Sequence, residues 1–273
     1  MMKKQINGTP GYQKYLKDRK KEAFNIHFLQ IFLLVAFLIF WEVGAQLGFI
    51  DDFLFSKPSA VWNILVKYVS NGEIFKHLGI SLYETIVGLI IGTCSGLFIA
   101  ICLWWSEKLA KIFDPFLVVL NALPKTALAP ILIVWVGTGV KGIVVISIIT
   151  SIAVTILSAY NYFSTVDEDK IKLMKSFRAS KFQILTKLVL PSNTSNMINL
   201  LKINIGMVWV GVIVGEFIAS RAGLGYLIVY GGQVFNLSLV MMGILVLAIC
   251  TLLMYQLLGY YEKKLKKRQG ANK

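Results

Sequence analysis

Apolar residues along this 273-residue chain gather into blocks of about twenty, the length needed to cross a bilayer as a helix. The blocks run over 28–47, 79–104, 115–136, the stretch from 139 to 163, 198–219 and 237–260. Each is too long and too uniformly apolar for a half-buried strand, so the pattern predicts six membrane helices. The chain is therefore expected to be an all-α integral membrane protein. The intervening stretches predict its organisation: a basic tail over 1–27, an outer segment over 48–77, the main transmembrane domain over 78–260, and a second basic tail over 261–273. In the outer segment, Ser59 is placed to cap a short amphipathic helix through Tyr68, with Val61, Leu65 and Tyr68 on one face. Ser81 and Glu84 have the spacing of a capping box at the start of the second span. Pro124 and Pro130 lie within the third, and Gly137-Thr138-Gly139 marks a tight turn before the fourth.

Composition sharpens this picture. Hydrophobic residues make up 56% of the chain and charged residues only 15%, against about a quarter charged in soluble domains. The net charge is +14, yet the lysines and arginines lie between apolar blocks, where they signal topology rather than a nucleic-acid-binding face. With six spans both tails share a side, and 21 of the 28 basic residues fall there. The positive-inside rule makes that side cytoplasmic. Cys94, Cys102 and Cys250 sit in apolar blocks without metal-ligand spacing and are expected as buried small hydrophobes. No cleavable leader is expected ahead of the first block.

The longest cytoplasmic stretch, 164–197, carries the most information. Thr165 with Glu168, and Ser180 with Gln183, have capping-box spacing and predict two short helices that break near Arg178; Leu190-Pro191 closes the second. Ile171, Met174, Phe177, Phe182, Leu185 and Val189 need a packing surface, either the ends of the spans or a partner protein. In the second span, Gly88, Gly92 and Gly96, with Ala100 after them, form a small-residue face for helix packing or for a moving or dimer-lining surface. Glu42, Lys125, Lys202 and Glu216 are ionisable groups in or near apolar spans, where charge is costly. Glu42 and Lys202 read as structural. Lys125, between two prolines, either faces a water-lined translocation path or pairs with Glu216. No metal cluster, catalytic residue or phosphate-binding loop is found, so no cofactor is expected on this chain and any ATP must be bound by another.

Leu173-Met174-Lys175-Ser176-Phe177-Arg178-Ala179, followed by Leu190-Pro191, resembles the coupling loop of binding-protein-dependent importer permeases. Asn121-Ala122-Leu123-Pro124-Lys125, Val134-Trp135-Val136-Gly137, Gly215-Glu216-Phe217 and Ala222-Gly223-Leu224-Gly225-Tyr226 resemble the nitrate, sulfonate and taurine branch. The family's Glu-Ala-Ala falls on Lys172-Leu173-Met174, and its glycine on Arg178, where a left-handed turn would cost about 1 kcal/mol. The resemblance implies the fold of type I ATP-binding-cassette importers, with Lys172, Leu173, Met174, Phe177, Arg178, Ala179, Leu190 and Pro191 coupling to the ATPase. It further implies two cytoplasmic ATPase copies, a second permease copy, an extracytoplasmic binding protein, and residence in the inner membrane. The solute would be a sulfonate, taurine or nitrate, or alternatively a vitamin precursor such as a pyrimidine or riboflavin. Pro124, Lys125, Pro130 and Glu216 are the expected translocation-path residues. The rivals are an ion-gradient transporter using Glu216 and Lys125, and a membrane subunit with no pathway.

Overall fold

The computed structural model describes residues 10–270, which are helical apart from turns and short links; they contain no strand. Lys3, Lys4 and Lys273 of the basic tails lie outside them. The chain divides after Ile64 into two compact units.

The first unit opens with α1 (Pro10–Gln46), which extends well upstream of the apolar block. Along its apolar block, side chains such as Phe28, Leu33 and Phe40 are exposed, a surface suited to lipid, while Gly44 and Ala45 near its end are buried. A one-turn helix, α2 (Asp52–Phe55), is capped by the Asp51 carboxylate, which accepts from the amides of Phe53 and Leu54. Then α3 (Pro58–Ser70) begins, one residue before the expected cap. Ser59 lies inside its first turn, and Glu42 supplies the capping group from α1. Glu42 Oε2 accepts the Ser59 N–H at 2.9 Å, and Oε1 accepts the Ser59 hydroxyl at 2.8 Å. The carboxylate satisfies an orphan amide at the positive end of α3, which accounts for an acidic residue in this span.

The second unit contains α4 (Glu73–Trp105), α5 (Glu107–Ala122), α6 (Ala129–Val136), α7 (Val140–Ser164), α11 (Thr194–Ala219), α12 (Leu224–Gln233) and α13 (Leu237–Gly270). Five described helices are long and apolar enough to cross a membrane: α1, α4, α7, α11 and α13. The third expected span is not continuous. Ser106 caps α5, so the presumed polar link is already helical, and Pro115 lies within that helix. The chain then bends by 85° between α5 and the segment Lys125–Val136, whose first turn, Lys125–Leu128, is 3-10 and leads into α6. The cause is local: Leu123 precedes a proline and is driven to extended geometry, and Pro124 has no N–H to continue the helix. Pro130 falls in the first turn of α6, where proline starts a helix rather than breaks it.

Packing centres on α7, which lies between α4 and α11. A Cβ added to Gly88 would run into the Ser147 hydroxyl; at Gly92 it would come within 2.7 Å of Ser151 Oγ, and at Gly96 within 2.6 Å of Thr155 Cγ2. On the other side, a Cβ added to Gly211 of α11 would come within 2.5 Å of Ser147 Cα. Small residues thus let three helices touch backbone to backbone, which compensates for the weak hydrophobic drive between helices in lipid. The α7 hydroxyls donate to their own helix, Ser147 to Val144 O, Ser151 to Ser147 O and Thr155 to Ser151 O, so none is orphaned as a donor. Asn204 of α11 adds a polar tie, its Nδ2 donating to Thr93 Oγ1 at 3.0 Å and Thr155 Oγ1 at 2.9 Å. Gly137 and Gly139 both have positive φ and form the turn into α7 that the sequence predicts. Of the cysteines only Cys250 is buried; Cys94 and Cys102 lie on exposed helix faces, correcting the sequence expectation.

Candidate functional site: the loop helices and the bent third segment

Between α7 and α11 the chain forms α8 (Glu168–Ser176), α9 (Lys181–Ile184), a π-helical turn over Leu185–Val189 and α10 (Leu190–Ser192). The first helix starts later than expected. Asp167 caps it through the Asp169 amide, while Thr165 turns back and donates to Asn161 O as the end of α7. That amide holds the Asp167 carboxyl below the ordinary carboxylate range. The second cap is the expected one: Ser180 Oγ accepts the Gln183 amide, and Gln183 Oε1 accepts the Ser180 amide.

Between the caps, Arg178 adopts φ 56°, in the left-handed region. The Arg178 amide reaches Lys175 O at 2.9 Å, and the Ala179 amide reaches Met174 O at 3.0 Å. Two terminal carbonyls of α8 are thereby satisfied, which supports a conformation that a side-chain-bearing residue disfavours.

Leu190-Pro191 does not end the second helix. Helical geometry continues to Ser192, and Asn193 then makes the break before α11. Pro191 has no N–H to return to Lys187, and just before it the helix widens: the Leu190 amide bonds to Leu185 O, five residues back.

The apolar residues of this segment face two ways. Ile171, Met174, Leu185 and Val189 pack with Ala100, Phe163 and Leu200 at the ends of α4, α7 and α11. Phe177 and Phe182 point outward, 76% and 63% exposed, with Leu173 exposed beside them. Ala179 and Leu190 pack at the edge of the cluster, whereas Lys172, Arg178 and Pro191 are exposed. Lys181 ties the loop to α4, donating to Trp105 O at 2.7 Å with its ammonium over the Trp104 and Trp105 rings. One side of the loop is clamped to the membrane domain and the other presents bare aromatics.

At the third segment, Pro124 and Lys125 stand at the 85° bend and Pro130 just beyond it. Lys125 Nζ donates to Asn121 O and Oδ1 at 3.3 and 3.2 Å. Glu216 is elsewhere, buried between α4, α11 and α12, so the anticipated Lys125–Glu216 ion pair is not formed. Lys202 is half-sheltered and pairs with Glu262 at 2.5 Å, beside the Tyr255 ring.

Sequence reasoning missed the surroundings of Glu216. Ser81 and Glu84 are not a cap, since α4 begins eight residues earlier, at Glu73. Both are fully buried in mid-helix and face Glu216. The available signal was Glu84 itself, an acid inside an apolar block.

A model of the family described as binding-protein-dependent transport system inner membrane component matches residues 92–267, more than half of the chain. A probable ABC transporter permease protein of Haemophilus influenzae is 28% identical over 231 residues, 84% of this chain and 94% of that protein. A putative aliphatic sulfonates transport permease protein of Bacillus subtilis is 26% identical over 231 residues, covering 85% and 84%. Further relatives are named as permeases for taurine, nitrate, riboflavin and formylaminopyrimidine. Among solved structures, the inward-facing MetNI methionine ABC transporter matches with a TM-score of 0.60 at 18% identity, covering 69% of this chain and 92% of that one. The fold is that of a type I importer permease. With its apolar helices and the match over 92–267, this multi-pass membrane chain belongs to the family of binding-protein-dependent transport system inner membrane components.

Proposed function

We propose that this chain is the translocating subunit of an ATP-driven importer for a small polar solute, and that the loop over 164–197 receives the stroke of a cytoplasmic ATPase. The observation that carries this reading is the two-sidedness of the loop. Ile171, Met174, Leu185 and Val189 fix it to the spans, while Leu173, Phe177 and Phe182 are left in the open. Large bare aromatics on a capped, clamped element suit insertion into a partner's cleft. A rigid element clamped in this way transmits a push to α4, α7 and α11.

In this reading the loop and both tails are cytoplasmic, two copies of the chain enclose the pathway, two ATPase subunits dock below, and a binding protein delivers solute from outside. ATP hydrolysis belongs to the ATPase chains. Lys125 at the bend lies beside the pathway and favours an anion, in keeping with the sulfonate, taurine and nitrate names among the relatives. The riboflavin and formylaminopyrimidine names support a vitamin precursor as the second solute class.

The test separates the two faces of the loop. Phe177→Ala should leave the membrane domain's thermal stability unchanged while abolishing the coupling of ATP hydrolysis to uptake in reconstituted vesicles. Met174→Ala should lower the melting temperature as well as uptake. Full coupling in Phe177→Ala would remove the loop as the transmission element.

A further inference from the structure

Glu84 and Glu216 lie in the bundle core, 0% and 1% exposed. Glu216 is well supplied with donors. Ser81 Oγ donates to its Oε1 at 2.5 Å, and the Gly225 amide donates to its Oε2 at 2.5 Å. The start of α12 is built onto this carboxyl. The Leu224 amide donates to Ser81 Oγ at 2.8 Å, and the Gly223 amide to His77 Nδ1 at 3.0 Å. A side chain at Gly223, which has φ 126°, would collide with the Glu216 carboxyl. Backbone amides at a helix N-terminus stabilise negative charge, so the donors favour a charge on Glu216 over one on Glu84.

Glu84 has the opposite surroundings. No donor reaches either of its oxygens, and the charged group that acts on it is Glu216. Two adjacent carboxylates without a counter-ion, shut away from water, repel each other with little screening. Among the described residues, no lysine or arginine pairs with either. The other titratable side chains nearby are His77 from α4 and, stacked on it, Tyr226 from α12; α7 packs alongside, with Ser147 against Gly88 and Ile143 against Gly215.

We propose that Glu84 and Glu216 form a resident proton site, with the proton carried on Glu84 and donated to the Glu216 carboxylate. A neutral Glu84 removes the repulsion and gives its hydroxyl an acceptor. The pair then locks the first turn of α12 to α4 and α11, and loss of the proton would set like charges against each other at that joint. This assignment stands whichever solute crosses the membrane.

Infrared spectroscopy of the full chain in lipid nanodiscs tests it, with a carbon-isotope label on glutamate side chains. At neutral pH the wild type should show the carbonyl band of a protonated glutamic acid, shifted by the label. In Glu84→Gln, a neutral donor of the same shape, that band should be lost while the melting temperature is retained. Should Glu84→Gln fail to fold, alkaline titration of the wild type decides: the labelled band should vanish together with faster exchange of the Leu224 and Gly225 amides. Absence of the band at neutral pH, or its persistence in Glu84→Gln, overturns the proposal. So does stabilisation of the wild type, but not of Glu84→Gln, by sodium at constant ionic strength, which would make the pair a cation site.

Discussion

Ser147 touches two neighbours at once: its hydroxyl lies over Gly88 of α4, and its backbone lies against Gly211 of α11. A methyl group at residue 88 has no room unless that hydroxyl gives way. Gly88→Ala should therefore destabilise the bundle by about 1–3 kcal/mol, the usual cost of overpacking. Adding Ser147→Ala removes the obstructing oxygen and should recover much of the loss, because the two substitutions share one contact. Unfolding of the two single variants and the double variant in detergent measures this coupling. At Gly211 no such rescue is expected, since the obstruction there is the Ser147 backbone.

At the scale of the element, the loop helices show how a local irregularity is held in place. Arg178 adopts a backbone conformation that glycine occupies at little cost, between an α8 end closed by two amides and an α9 start closed by a capping box. Arg178→Gly should relieve about 1 kcal/mol of local strain and lower amide exchange through residues 174–183, offset in part by the greater freedom of glycine in the unfolded chain. If exchange there rises instead, the left-handed turn is held by the arginine side chain and not merely tolerated.

At the scale of the whole molecule, the bend between α5 and α6 decides where Lys125 can act. Among the described residues its ammonium reaches back only to Asn121, so the side chain is not committed to a buried ion pair there. Lys125→Ala should preserve assembly of the transporter and lower solute uptake, with the larger loss for an anionic solute. Uptake in vesicles, alongside the yield of purified complex, checks both halves. Wild-type uptake in that variant would take Lys125 out of the pathway.

Local, additive chemistry is legible in the order of the amino acids alone. Apolar blocks of bilayer length specify the helical membrane class, the Ser180–Gln183 spacing marks a real cap, and Gly137 and Gly139 mark a real turn. Spacing alone failed wherever the same residues had two uses. Ser81 and Glu84 match a cap, yet they serve a buried contact with residues more than a hundred positions away. Ser59 matches a cap, yet the capping carboxylate comes from Glu42 on another helix. Glu216 and Lys125 look like partners by charge, but a 2.5 Å hydrogen bond from the start of α12 holds Glu216 away from the bend. Hydrogen bonds and close packing depend on which helices meet and at what rotation, and a one-dimensional pattern leaves that open. Which side of the loop faces the spans, and which two carboxyls share the core, is therefore settled only when the helices assemble.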